Sequence, residues 1–163
     1  MDQIDIAYAT RASEYEEARA LFLEYANWLA VDLCFQGFAA ELDRLREMYG
    51  PPAGCLILGR AAEVAVACVG VRRLSADACE MKRLFVRADA RGSGLGRRLA
   101  VEAVAAARRL GYRRMLLDTL ETMDAAQHVY ASLGFRATAA YYDNPLPGVR
   151  YYALDLRAVP AGA

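Results

Sequence analysis

The stretch Cys79-Glu80-Met81-Lys82-Arg83-Leu84-Phe85-Val86, followed by Arg91-Gly92-Ser93-Gly94-Leu95-Gly96-Arg97-Arg98, is the most informative part of this chain. A short apolar strand runs into a glycine-rich turn, and an amphipathic helix starts at that turn. Glycine allows positive φ and close approach of the backbone to a ligand. The unpaired amides of a helix start, aided by the helix dipole, attract phosphate. Arginines on both sides add charge and donors. The segment reads as a pyrophosphate cradle; the plainer alternative is a turn that only starts a helix.

Two familiar cradles do not fit. A P-loop needs Gly-x-x-x-x-Gly-Lys-Ser/Thr, and the chain has no such run. The dinucleotide fingerprint needs Gly-x-Gly-x-x-Gly near a first strand. Here the spacing is Gly92-x-Gly94-x-Gly96, mid-chain, with arginine at 97.

Composition narrows the classes. The 163 residues suit one domain, taken as 1–163, with a sizeable core. Twenty basic and twenty acidic residues balance, with a pI near 6.6, which argues against a nucleic-acid or membrane-surface binder. An apolar fraction of 56% argues against broad disorder. Cys34, Cys55, Cys68 and Cys79 form no Cys-x-x-Cys pair, and His128 is the only histidine, so no metal site is expected. The cysteines read as free thiols in a reducing compartment. No apolar run approaches the ~20 residues of a membrane span, and the chain opens on no signal peptide. These features predict a cytoplasmic protein.

The remaining chain divides cleanly. Ile4 to Ala9 reads as a strand. Ser13-x-x-Glu16 reads as a capping box before a helix whose apolar face is Ala18, Leu21, Phe22, Tyr25, Trp28 and Leu29, ending near Leu33 to Phe35. Phe38 to Met48 reads as a second helix, stopped by Tyr49-Gly50-Pro51-Pro52. Cys55 to Gly59 and Val64 to Arg72 read as paired strands, and Cys79 to Val86 as the fourth strand. Gly94 to Leu110 is a helix with Leu95, Leu99, Ala103, Ala106 and Leu110 inward, stopped by Gly111. A strand at Met115 to Thr119, a helix at Met123 to Leu133, and strands at Ala137 to Tyr142 and Tyr151 to Leu156 follow. A frayed tail is expected from Pro160. This alternation predicts an α/β (α+β) sheet sandwiched by helices.

Arg91-x-x-Gly94-x-Gly96 resembles the acetyl-CoA-binding motif of the GNAT superfamily of N-acetyltransferases, Gln/Arg-x-x-Gly-x-Gly/Ala. "EMKRLFV…RGSGLGRRLA" and the later "VYASLGF" resemble that family's two strongest blocks in order and spacing. The resemblance covers nearly the whole chain. It implies a GNAT fold: a mixed, mostly antiparallel sheet of about seven strands, splayed between strands 4 and 5 and flanked by about four helices.

The resemblance also implies roles. The backbone of Arg91, Gly92, Ser93, Gly94, Leu95 and Gly96, with Arg97 and Arg98, would hold the pyrophosphate of acetyl-CoA. The pantetheine arm would pair with Leu84, Phe85 and Val86, and the Leu84 amide would polarise the thioester carbonyl. Glu80 would act as general base, directly or through water; the alternative is a solvated strand glutamate, or one paired with Lys82 on the same face. Tyr130, before Gly134-Phe135, would protonate the departing thiolate. The alternative is a core tyrosine bonded to a backbone carbonyl. Many relatives carry asparagine where this chain has Met123, so that contact to the coenzyme is replaced or lost. His128 faces another direction from Tyr130 and is expected at the surface.

The acceptor site of such proteins is built from the first two helices and the last inter-strand loop. Asp32, Phe35, Gln36, Phe38 and Tyr142 are its candidates here, with Asp143 and Asn144 nearby. Tyr141 and Tyr142 alternate along the strand read over Ala137 to Tyr142, so only one is expected to face the site. A small-molecule amine is the expected acceptor, with a protein or peptide amine as the second reading. A non-catalytic coenzyme A-binding regulator is the reading from another class. The Tyr-rich last strand offers a surface for a homodimer.

Overall fold

β3 (Val64–Arg73) explains the architecture: every residue from Ala65 to Val71 is buried. An apolar run of this kind suits a strand covered on both faces. It lies between β2 (Cys55–Ala61) and β4 (Ala78–Val86), antiparallel to both. The computed structural model of the protein describes residues 3–158. In it, β1 (Ile4–Tyr8), β5 (Arg114–Leu120), β6 (Arg136–Ala137) and β7 (Val149–Asp155) complete a seven-stranded sheet of order β1-β2-β3-β4-β5-β7-β6. Only β4 and β5 are parallel.

Each face of the sheet has its own core. On one face, Tyr15, Leu21 and Phe22 of α1 (Ala12–Leu29) pack with Tyr49, Leu56, Cys68 and Phe85, beside the short α2 (Phe38–Asp43) and α3 (Leu45–Met48). On the other, Leu95, Leu99 and Ala103 of α4 (Leu95–Arg109) and Tyr130 of α5 (Asp124–Ser132) cover Ile57, Val69, Val71 and Met115. The strand and helix order read from the sequence is therefore the observed one, with five α-helices in place of about four.

Several local expectations need correction. The N-terminal box of α1 is not at Ser13 and Glu16. Glu14 Oε2 accepts the amides of Thr10 (2.7 Å) and Arg11 (2.9 Å), so Arg11 caps the helix. Those bonds pull the Glu14 carboxyl down to about 2. α1 stops at Leu29, because Ala30 turns left-handed at φ 54° and its amide bonds Asn27 O. The helix expected over 38–48 breaks at Arg44, which lets Glu41 face β4 while Leu45 and Tyr49 enter the core. Leu110 is partly exposed past the end of α4. The strand expected over 137–142 is only Arg136–Ala137. Thr138 N–H still bonds Tyr151 O (2.9 Å); past it the chain leaves the ladder, and the phenols of Tyr141 and Tyr142 turn to carboxylates on β4 and β5. The tail expected from Pro160 lies outside the described residues. No described helix is long and apolar enough to cross a membrane.

Candidate active site

β4 and β5 are in register for only three residue pairs, the last being Glu80 with Leu116. Beyond that point the two strands part. A bulge bends β4 in the same region. Cys68 pairs with Phe85 and Gly70 with Lys82, so Val69 faces both Arg83 and Leu84. Arg83 takes φ 59°, a left-handed conformation that costs a non-glycine residue energy. Its guanidinium is fixed by a buried bidentate pair with Glu41 (3.0 and 2.8 Å) and by the faces of Phe38 and Tyr25. Tyr49 Oη also donates to Glu41, at 3.1 Å. The pair thus fastens α2 to the bulge and leaves Leu84 turned toward the splay.

Two cavities open there. The larger is a groove of about 760 Å³. Its walls include Leu84, Phe85 and Val86 of β4, and the turn residues Arg91, Gly92, Gly94, Leu95, Gly96 and Arg97. Trp28, Thr122 and Met123 close the other side. Gly92 and Gly94 sit at φ 80° and 77°, and a Cβ on either would meet open space, so this backbone is bare toward the groove. The first helical bond of α4 runs from Arg98 N–H to Gly94 O (3.1 Å). The amides from Leu95 to Arg97 precede it and have no intrahelical acceptor. The groove therefore offers a positive helix end, flanking guanidiniums and the free edge of β4. This fits an extended ligand that carries phosphates at one end and amides along its arm.

Not every cradle residue serves alike. Ser93 does not line the groove; its hydroxyl donates to Ala90 O at 2.7 Å and shapes the turn. Arg98 is exposed and lies outside the lining as well. Arg91 stacks on Trp28 (4.7 Å to the ring centroid), and its Nε donates to Val86 O at 2.9 Å. The carbonyl expected to pair with a ligand arm is thus held by Arg91 in this state. The sequence reading passed over Trp28 as a core residue; it is 49% exposed.

The smaller cavity, about 50 Å³, shares Leu29, Leu84, Leu120 and Met123 with the groove. Its polar walls include Gln36, Lys82, Arg83, Asp118, Thr119 and Asn144, and Tyr130 lines it from α5. Burial drives the Tyr130 phenol well above its ordinary range, so it is protonated at neutral pH. Among the described residues its hydroxyl has no hydrogen-bond partner, and its ring stacks edge-on to Phe135. That arrangement is not the core tyrosine bonded to a carbonyl.

Glu80 is placed differently from its expected role. Its side chain is 1% exposed and lines neither cavity. Arg72 Nε donates to it at 2.7 Å, Tyr141 Oη also donates, and Lys82 Nζ stands 3.9 Å away. The carboxylate that faces the cavity is Asp118 of β5. Its Oδ2 accepts from Tyr142 Oη and from Asn144 Nδ2 (3.1 Å); its Oδ1 lies 3.9 Å from Lys82 Nζ. Sequence reading missed Asp118, although a lone carboxylate inside the apolar run Met115-Leu116-Leu117-Asp118-Thr119 is a usable signal. Both tyrosines of the Tyr141-Tyr142 pair reach this network, because neither is held on a strand.

The acceptor candidates separate. Gln36 bridges Lys82 Nζ (3.1 Å) and Tyr142 Oη (3.0 Å). Tyr142 belongs to the network through Asp118 without lining the narrow cavity. Asp32 is exposed and accepts the Cys34 amide at 2.8 Å, so it shapes its own loop. Phe38 lies over Arg83, away from the cavity. The Phe35 side chain lies outside the described residues. His128 is exposed.

Comparison with known proteins agrees with this geometry. Residues 13–135 match the Acetyltransferase (GNAT) family. An uncharacterized N-acetyltransferase of Schizosaccharomyces pombe is 37% identical over 155 residues, covering 94% of this chain and 95% of its own. A second, from Dictyostelium discoideum, is 26% identical, covering 80% and 88%. A GNAT-family acetyltransferase structure from Staphylococcus aureus superposes with a TM-score of 0.77 at 21% identity, covering 94% of this chain and 99% of its own. A putative acetyltransferase from Salmonella typhimurium, solved with its cofactor acetyl-CoA, gives 0.66 at 21% identity and 99% coverage of both chains.

Proposed function

The chain belongs to the Acetyltransferase (GNAT) family, and from that premise we propose that it moves an acetyl group from acetyl-CoA to the primary amine of a small molecule by direct attack in a ternary complex. The observation that carries this reading is the junction of the two cavities at Leu84, Leu120 and Met123. A long groove with a phosphate-binding end meets a small polar chamber at the point where β4 and β5 part. When bound, acetyl-CoA supplies an activated acyl group as a thioester. The Salmonella protein holds acetyl-CoA as its cofactor, which supports the same donor here.

This chain's residues bind, orient and move protons. The cradle from Arg91 to Arg97 holds the pyrophosphate. The free edge of β4 aligns the arm and brings the thioester to Leu84, whose amide polarises the carbonyl. Fixing two reactants in near-attack geometry is worth several kcal/mol, up to ~7–11. Asp118, facing the chamber, takes the proton of the attacking amine. The new N–C bond forms, the C–S bond breaks, and Tyr130 gives its proton to the departing sulfur. Glu80 enters the base role only at one remove: it accepts from Tyr141 behind the chamber and pairs at 3.9 Å with Lys82, which lines it. The free thiols fit a reducing cytoplasm. The small chamber favours a small amine over a peptide tail, and the free phenol of Tyr130 favours an enzyme over a silent coenzyme sensor.

The test compares pH–rate profiles of Asp118→Asn and Glu80→Gln for coenzyme A release. Asp118→Asn should remove the acidic limb and lower kcat by ~10²-fold or more. Glu80→Gln should lower kcat while keeping the limb. The reverse pattern would return the base role to Glu80.

A further inference from the structure

Lys82 is the feature that the proposed chemistry leaves unused. Its side chain is 5% exposed, yet its ammonium has only one hydrogen bond among the described residues, to Gln36 Oε1 at 3.1 Å. The two nearest carboxylates, Glu80 and Asp118, each stand off at 3.9 Å. Glu80 is already engaged by Arg72 and Tyr141. Asp118 Oδ2 is engaged by Tyr142 and Asn144. Asp118 Oδ1 has only the distant lysine. The neighbouring guanidiniums are held by short bonds, Arg83 by Glu41 at 2.8 Å and the partly exposed Arg72 by Glu80 at 2.7 Å, whereas Lys82 has its two longer ion pairs and the face of Tyr142, 5.9 Å from the ring centroid. What remains is one cationic and one anionic group, both incompletely bonded, lining the same small chamber.

We infer that the acceptor is a small zwitterion of the α-amino-acid type, its carboxylate bound by Lys82 and its amino group directed to Asp118 Oδ1. This rests on the acetyltransferase reading above and names its substrate class. A buried ammonium that makes one hydrogen bond and stands 3.9 Å from each of its carboxylates has donor capacity left for an anionic ligand. The chamber is narrow, about 50 Å³, which suits a small polar head. The acceptor's side chain then lies toward the apolar wall of Leu33 and Leu146. A polyamine or the side chain of a protein lysine lacks the anion and brings a second positive charge beside Lys82. The placement also suits the chemistry, since the amine lies against the carboxylate that deprotonates it.

The experiment measures coenzyme A thiol release by the full chain with acetyl-CoA and three matched acceptors: L-alanine, ethylamine and L-alaninamide. The last two lack the carboxylate and bracket alanine in amine basicity, so basicity alone cannot set the order. The inference predicts kcat/KM for alanine at least tenfold above both. Lys82→Met should collapse that ratio toward one, and Lys82→Arg should keep part of it. Ethylamine or alaninamide used as well as alanine by the unaltered protein would overturn the zwitterion while leaving acetyl transfer standing; that comparison needs no variant to fold. A ratio unchanged in Lys82→Met would also overturn it. No thiol release with any amine would overturn the inference together with the reading beneath it.

Discussion

Two glycines of the cradle, two residues apart, should respond to alanine with opposite signs. Gly94 sits at φ 77°, and a Cβ added there meets nothing within 4 Å. Its cost is therefore conformational alone, about 1–2 kcal/mol for a left-handed L-residue. Gly96 is inside the first turn of α4. A Cβ there would lie 3.6 Å from Val86 Cγ2, an ordinary contact, and helix propensity favours alanine over glycine by up to ~1 kcal/mol. For a chain of this size, 1 kcal/mol moves Tm by ~2–4 °C. Gly94→Ala should thus lower Tm by roughly 2–8 °C, and Gly96→Ala should raise it by up to about 4 °C. Thermal unfolding followed by circular dichroism reads both. A Gly94→Ala protein as stable as the parent would mean that the turn does not need its left-handed residue, and the geometry argued for the cradle would be wrong.

Three further outcomes follow from the same structure. Glu41→Gln leaves the Arg83 guanidinium buried beside a neutral partner; urea unfolding should show a loss of about 3–5 kcal/mol, and a loss under 1 would show that the pair does not hold the bulge. Glu14 titrates at about 2 when folded against an ordinary 4.5. Its stabilising effect is present above the ordinary value and disappears as pH falls through the folded one. Glu14→Gln should therefore be less stable than the parent at pH 7 by about 1 kcal/mol, with the gap closing toward pH 2; a gap that persists in acid would contradict the capping account. Trp28 is the only tryptophan and lines the groove, so acetyl-CoA should change its fluorescence, and NAD should not. An equal response to both would remove the case for a selective cradle.

Much of this architecture was legible in the chain. The valine-rich run of β3, the stripe of Leu95, Leu99 and Ala103, and the Gly94 and Gly111 boundaries of α4 each follow from local rules, and the fold obeys them. What escaped depends on tertiary contacts. The break at Arg44 exists because Glu41 answers a charge far along the chain, on β4. β6 ends early because two phenols bond carboxylates on β4 and β5 in place of a ladder. Likewise, strand alternation cannot say whether Glu80 or Asp118 faces the cavity, since that choice depends on where two neighbouring strands part. The cradle was readable because its chemistry is backbone chemistry, local to six or so residues. The acceptor chamber gathers Gln36, Lys82, Asp118 and Asn144 from four separate segments, so only Gln36 was named in advance, with Asn144 noted beside it.

The most direct test of the account is amine-dependent thiol release from acetyl-CoA, measured in parallel for the parent protein and Tyr130→Phe. Trp28 fluorescence gives the binding control, since Tyr130 lines the chamber and not the groove. Release should require the amine, the Tyr130→Phe rate should be lower by at least tenfold, and acetyl-CoA binding should be the same in both proteins. Undiminished turnover in Tyr130→Phe, or no amine-dependent release from a protein that binds acetyl-CoA, would contradict it.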